Sequence, residues 1–104
     1  MDFRGNHILS IDQFDRKGIE KLFSVADKLE PFASKEKITR VLEGAILGNM
    51  FFEPSTRTRI SFGASFNLLG GNVREITEVG SSSLAKGESL ADTAQVLSGY
   101  SDII

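Results

Sequence analysis

No cysteine occurs among the 104 residues, which excludes disulfides, zinc–thiolate sites and thiol catalysis. A reducing cytosol is compatible with that absence. Histidine is nearly absent too. His7 stands alone, too few for a multi-histidine metal site, and its plain reading is an exposed or capping residue near the N-terminus rather than a catalytic one. An excess of one charge is also missing: 12 basic residues against 14 acidic ones give a net charge of −2. Nothing in that total attracts nucleic acid or an anionic membrane surface. Any anion binding must come from a local arrangement. No apolar run approaches the roughly 20 residues that span a bilayer, and the N-terminus lacks the basic-then-apolar profile of a signal peptide. The chain is therefore expected to be soluble and cytoplasmic, with no metal, no cofactor, and neither nucleic acid nor membrane as a partner.

What is present is ordinary for a globular protein. Apolar residues make up 40% and charged residues 25%, whereas a disordered chain carries fewer of the first and a larger net charge. The length suits one compact domain or part of one. It excludes an enzyme with its site between two full lobes.

Ser10-Ile11-Asp12-Gln13 has the Ser-x-x-Gln form of a capping box and is expected to open a helix. Ile19, Leu22, Phe23, Ala26 and Leu29 follow at helical spacing, and Pro31 is expected to end the helix. The polar stretch 34–39 reads as a solvated connection. Over 45–52 the chain is almost continuously apolar (Ala-Ile-Leu-Gly-Asn-Met-Phe-Phe), the pattern of a strand covered on both faces in a parallel sheet. Glu53-Pro54 stops it. A second helix is expected over 55–69, ended by Gly70-Gly71. A second strand is expected over 72–77, then a serine-rich polar loop over 78–87. A third amphipathic helix is expected over 88–100, and a further strand begins at 101–104. Strand, helix, strand, helix, strand with such crossovers predicts an α/β fold, part of a doubly wound parallel sheet with flanking helices.

Ser55-Thr56-Arg57-Thr58-Arg59 lies where the buried strand turns into a helix. Ligands of open α/β sheets sit beyond the carboxyl ends of the strands, and a helix N-terminus offers unpaired N–H groups and the positive end of the macrodipole. Three hydroxyls and two guanidinium groups add donors there with no acid inside the run. The matching ligand is a small anion with several oxygens, such as a phosphate. This is not the nucleotide P-loop, because no Gly-x-x-x-x-Gly-Lys occurs. The bland alternative is an ordinary helix start, with Ser55 as N-cap and both arginines in water. Five specified residues in that order recur by chance only about once per million start positions, which favours the anion site. Ser81-Ser82-Ser83-Leu84-Ala85-Lys86 is a weaker signal: a lysine in a polar loop before a helix can close over an anion, yet such loops are usually only solvated.

Together these two stretches resemble the aspartate/ornithine carbamoyltransferase family. Phe51-Phe52-Glu53-Pro54-Ser55-Thr56-Arg57-Thr58-Arg59 resembles its carbamoyl-phosphate motif without interruption. Lys86-Gly87-Glu88-Ser89-Leu90-Ala91-Asp92-Thr93 is similar to the aspartate branch, whose mobile loop carries a serine and a lysine. The likeness covers 10–104. It implies transfer of the carbamoyl group of carbamoyl phosphate to the α-amino group of L-aspartate, in pyrimidine biosynthesis. It further implies that Ser55, Thr56, Arg57 and Thr58 bind the phosphate, with Thr58 also reaching the carbamoyl oxygen. Lys86 would contact the phosphate and the incoming L-aspartate, and Ser82, with Ser83 as the alternative, would be the loop serine. Arg57, Thr58 and Lys86 are the expected catalytic residues. Arg59 is expected in a structural ion pair, and Glu53 either bridges two domains or serves as a helix N-terminal acid. The family's loop comes from the neighbouring subunit, which implies a homotrimer with shared sites. Regulatory chains are a further partner the resemblance admits.

The chain departs from the family pattern at its end. The arginine, histidine and glutamine that family members carry further on have no counterpart in it. The 104 residues are thus expected to be the N-terminal part of the carbamoyl-phosphate-binding domain, without the aspartate-binding domain and incompetent alone. The ornithine branch, a non-catalytic phosphate-binding or partner-binding module, and an α/β domain without ligand are the alternatives.

Overall fold

The computed structural model describes residues 2–77 and 89–104, so Ser82, Ser83 and Lys86 lie outside the described residues. The chain divides into two units, Met1–Lys37 and Ile38–Ile104.

In the first unit the capping box is present. The Ser10 hydroxyl accepts from the Asp12 N–H at 3.2 Å and Gln13 Oε1 accepts from the Ser10 N–H at 2.8 Å. It closes only a single 3-10 helix, Ile11–Gln13, because Phe14 is extended at φ −93° and ψ 133°. Helix α1, Arg16–Ala33, has its own N-cap: the Asp15 carboxylate accepts from the Gly18 N–H at 2.7 Å. The one helix expected from Ser10 is therefore two, since a carboxylate cap starts a helix independently of what precedes it. Phe14 meanwhile sets its ring 5.9 Å from that of Phe3.

Pro31 does not end α1; it lies inside its last turn. Proline lacks the N–H that would bond four residues back, but the turn beyond it closes through Ser34 N–H donating to Glu30 O at 3.0 Å. Lys35, in the left-handed region at φ 64°, then turns the chain out.

The second unit is built on a parallel pair. Strand β1, Ile46–Met50, pairs with β2, Asn72–Ile76, in the register Leu47↔Val73 and Asn49↔Glu75. Both strands are shorter than the expected 45–52 and 72–77, yet one further bond extends each end, from Phe51 N–H to Ile76 O at 2.9 Å and from Asn72 N–H to Ala45 O at 2.9 Å. The expected third strand is present as a single parallel bridge, Leu47↔Ile103, on the other edge of β1. Gly48 N–H donates to Ile103 O at 2.7 Å, and the Asp102 carboxylate accepts from the Ile46 N–H at 2.8 Å. β1 is thus central.

Helix α2, Thr56–Leu68, returns from β1 to β2, and α3, Leu90–Ser98, precedes the bridge. Alternation along β1 puts Leu47 and Asn49 on one face and Gly48 on the other. A Cβ built on Gly63 of α2 would lie 3.9 Å from Asn49 and Val73, whereas one built on Gly48 would strike Leu97 of α3 at 2.9 Å. The helices therefore cover opposite faces, the doubly wound α/β arrangement. Leu47 and Leu97 are the buried apolar side chains among the described residues. The end of α2 follows the expected glycine pair: Gly70 takes φ 97°, its N–H donates to Asn67 O at 2.9 Å, and Gly71 N–H donates to Phe66 O at 3.0 Å, which is the Schellman pairing. Among the described residues no helix is long and apolar enough to cross a membrane.

Candidate functional site

One ladder bond and one ring contact, both made by Phe51, set the approach to the site. Phe51 keeps its N–H on the β2 ladder and packs its ring 6.5 Å from Phe62 of α2. The chain then has only 52–55 in which to turn from the carboxyl end of β1 into α2. Pro54, with φ already fixed, suits that turn. A helix begins at the strand's end because the connection leaves no room for anything longer.

The first bond of α2 runs from Arg59 N–H to Ser55 O at 3.0 Å. The N–H groups of Thr56, Arg57 and Thr58 precede it, and none has a backbone acceptor among the described residues. Ser55 is the N-cap by position, at φ −139° and ψ 63°, but its hydroxyl makes no cap bond. The simple capping reading of Ser55 is therefore not what the geometry supports. Ser10, Asp15 and Ser89 do cap their helices through the side chain. Thr56, Arg57 and Thr58 are exposed and Ser55 is half-buried. Their side chains make no hydrogen bond or ion pair among the described residues. Four consecutive residues thus present three amides, three hydroxyls and a guanidinium at one helix end.

Electrostatics explains what this arrangement lacks. The first turn of α2 holds no acidic residue, although carboxylates are the stabilising choice there and cations cost about 0.3–1 kcal/mol each. Arg57 adds positive charge to the positive end of the dipole. An anion seated at the same place reverses the sign of both terms.

Arg59 behaves differently, and as expected from the sequence. Its Nη1 donates to Glu75 Oε2 at 2.8 Å, with the two side chains 31% and 35% exposed. The pair is worth about 1 kcal/mol or less after solvent screening. Asn49 completes the group, its Nδ2 donating to Arg59 O at 3.1 Å and to Glu75 Oε1 at 3.4 Å. Asn49 and Glu75 emerge as partners only in the structure. The available signal was a lone amide inside an apolar strand, because a buried polar group needs partners.

The remaining expectations fall elsewhere. Glu53 is exposed and forms no ion pair among the described residues. His7 belongs to the first unit and is exposed, its carbonyl accepting from Gln13 Nε2 at 2.8 Å. Ser82, Ser83 and Lys86 lie outside the described residues, which leaves the start of α2 as the described part of the site. Among the described residues no group of three or more His, Cys, Asp or Glu side chains converges.

The sequence has well-defined relatives. It is 72% identical, over its full length, to the aspartate carbamoyltransferase catalytic subunit of Cellvibrio japonicus and 70% identical to that of Saccharophagus degradans, covering 31% of each. The chain therefore spans about a third of the length of these relatives. Its structure matches that of aspartate transcarbamoylase from Trypanosoma cruzi in complex with carbamoyl phosphate and aspartate, with a TM-score of 0.86 and 39% identity, over 95% of this chain and 33% of that one. The model of the aspartate/ornithine carbamoyltransferase carbamoyl-P binding domain matches residues 6–104. With nearly every residue inside that match, the chain belongs to the aspartate/ornithine carbamoyltransferase family, in its carbamoyl-P binding domain.

Proposed function

We propose that the chain supplies the phosphate half of an aspartate carbamoyltransferase site. The supporting observation is the donor set of Ser55, Thr56, Arg57 and Thr58 at the N-terminus of α2, uncommitted among the described residues, with no carboxylate in the helix's first turn. The dianionic phosphate of carbamoyl phosphate takes the three amides, the Ser55 and Thr56 hydroxyls and the Arg57 guanidinium. Thr58 reaches the carbamoyl oxygen. The uncharged α-amino group of L-aspartate attacks the carbamoyl carbon. The new C–N bond forms, nitrogen sheds a proton, and the C–O electron pair leaves with phosphate. Charge grows on the carbonyl oxygen and on the departing phosphate, and fixed donors aimed at both lower the barrier with no covalent intermediate.

In this reading the chain is the N-terminal part of the domain, and the aspartate-binding groups come from chain beyond these 104 residues. Lys86 and Ser82, or Ser83 in its place, reach the site of a neighbouring subunit in a cytoplasmic homotrimer to which regulatory chains can attach.

A chimera tests the proposal. Residues 1–104 would replace the matching part of the Cellvibrio japonicus catalytic subunit, which is 72% identical over that stretch. The expected result is carbamoyl transfer to aspartate, falling by a factor of about 100–1,000 in kcat with Arg57→Ala. A folded chimera that does not turn over, or one whose Arg57→Ala form is equally active, contradicts the proposal.

A further inference from the structure

Asn49 is 5% exposed in the central strand β1, a position where an apolar side chain would be the ordinary choice. Its amide nitrogen has two N–H donors, and the two acceptors it finds belong to different elements: Arg59 O in the first turn of α2 and Glu75 Oε1 on β2. Glu75 in turn holds the Arg59 guanidinium through Oε2. Three elements meet in one closed group of bonds. Gly63, one turn along α2, faces the group: a Cβ there would sit at ordinary contact distance, 3.6 Å from Glu75 Oε1 and 3.9 Å from Asn49 Nδ2. The carbonyl that Asn49 grips is only one residue beyond Thr58. The gripped residue is also the one whose N–H closes the first helical bond onto Ser55.

We propose that Asn49 is a positioning residue for the anion site, acting through Arg59 and Glu75. It pins the first turn of α2 to the sheet and so fixes where the amides and hydroxyls of 55–58 point. It also keeps Arg59 facing the sheet, which leaves Arg57 as the guanidinium of the site. The inference rests on the phosphate-site reading. Donors displaced by even a fraction of an ångström lose much of a multidentate contact.

The test is a titration of inorganic phosphate into the 104-residue chain, followed by the backbone amide resonances of Thr56, Arg57 and Thr58. Asn49→Leu keeps the branched four-atom side chain and removes the donors, Asn49→Ala removes both, and Glu75→Gln keeps an acceptor for Asn49. Lys17→Ala, an exposed cation in α1, is the control. The expected result is that phosphate moves the three amides in the unaltered chain. Asn49→Leu and Asn49→Ala should both weaken binding by about tenfold and shift the same amides before phosphate is added. Glu75→Gln should fall between, and Lys17→Ala should bind as the unaltered chain does. A role in packing alone would spare Asn49→Leu, so unchanged affinity there with binding intact in the unaltered chain overturns the inference and leaves the phosphate site standing. No amide response in the unaltered chain overturns both. Should Asn49→Leu fail to fold, unchanged phosphate affinity in Asn49→Ala overturns the inference.

Discussion

Ser55 and Ser89 both stand at the start of a helix, but only Ser89 commits its hydroxyl to it, accepting from the Asp92 N–H at 3.0 Å. Among the described residues the Ser55 hydroxyl makes no hydrogen bond, and the three amides beside it have no backbone acceptor. This difference separates a capping serine from one whose hydroxyl makes no cap bond, and no composition statistic reveals it. The run Ser55–Arg59 was legible because its residue types and their place after an apolar strand are local facts. The Asn49–Glu75–Arg59 group was not, because Asn49 and Glu75 are 26 residues apart and only the strand register brings them together. Thr58→Val removes one hydroxyl at nearly constant volume. If Thr58 bonds the carbamoyl group, carbamoyl phosphate should bind about tenfold more weakly while plain phosphate binds nearly as before. Isothermal calorimetry with both ligands checks this, and equal losses for the two would place Thr58 on the phosphate alone.

Elements were legible where one strong local signal sets their type. The apolar run over 45–52 marked β1, and Gly70-Gly71 marked the end of α2. Boundaries failed where two signals competed. Asp15 outweighed the Ser10 box as the start of α1, and Pro31 fell two residues short of its end because Glu30 O still found a donor in Ser34. Two glycines and one lysine yield predictions at this scale. A Cβ on Gly70 would lie 2.7 Å from Arg40 Cα, a backbone atom, on a residue already at φ 97°. Gly70→Ala should therefore destabilise the chain by about 1–3 kcal/mol, read from urea unfolding. Gly48→Ala meets Ser101 Oγ at 2.8 Å and Leu97 at 2.9 Å, so it should push α3 from β1 at a cost of about 1–3 kcal/mol. Lys35→Gly relieves a left-handed lysine at φ 64°, and should stabilise by up to about 1 kcal/mol. A loss of stability in Lys35→Gly would show that its side chain contributes more than its backbone costs.

For the molecule as a whole, the chain belongs to the carbamoyl-P binding domain of its family, and the donor set at the start of α2 is what supports the proposed phosphate site. Apolar side chains such as Phe62, at 58% exposure, and Val96, also 58%, remain in contact with solvent. With buried apolar side chains limited to Leu47 and Leu97 among the described residues, native-state stability should lie at or below the low end of the usual range, about 5 kcal/mol. Carbamoyl transfer to aspartate by the 104 residues alone is expected to be nil, because the proposed amino-acid half is not among them. Measurable turnover by a verified product of that length would contradict it. Anion binding needs less than catalysis does, and it is the most direct test. Carbamoyl phosphate titrated by calorimetry into the purified chain should bind at millimolar or lower concentration, with plain phosphate competing and Arg57→Ala abolishing the heat. A chain that takes up neither ligand at millimolar concentration, or an Arg57→Ala form that binds as well as the original, would contradict a phosphate site at the start of α2.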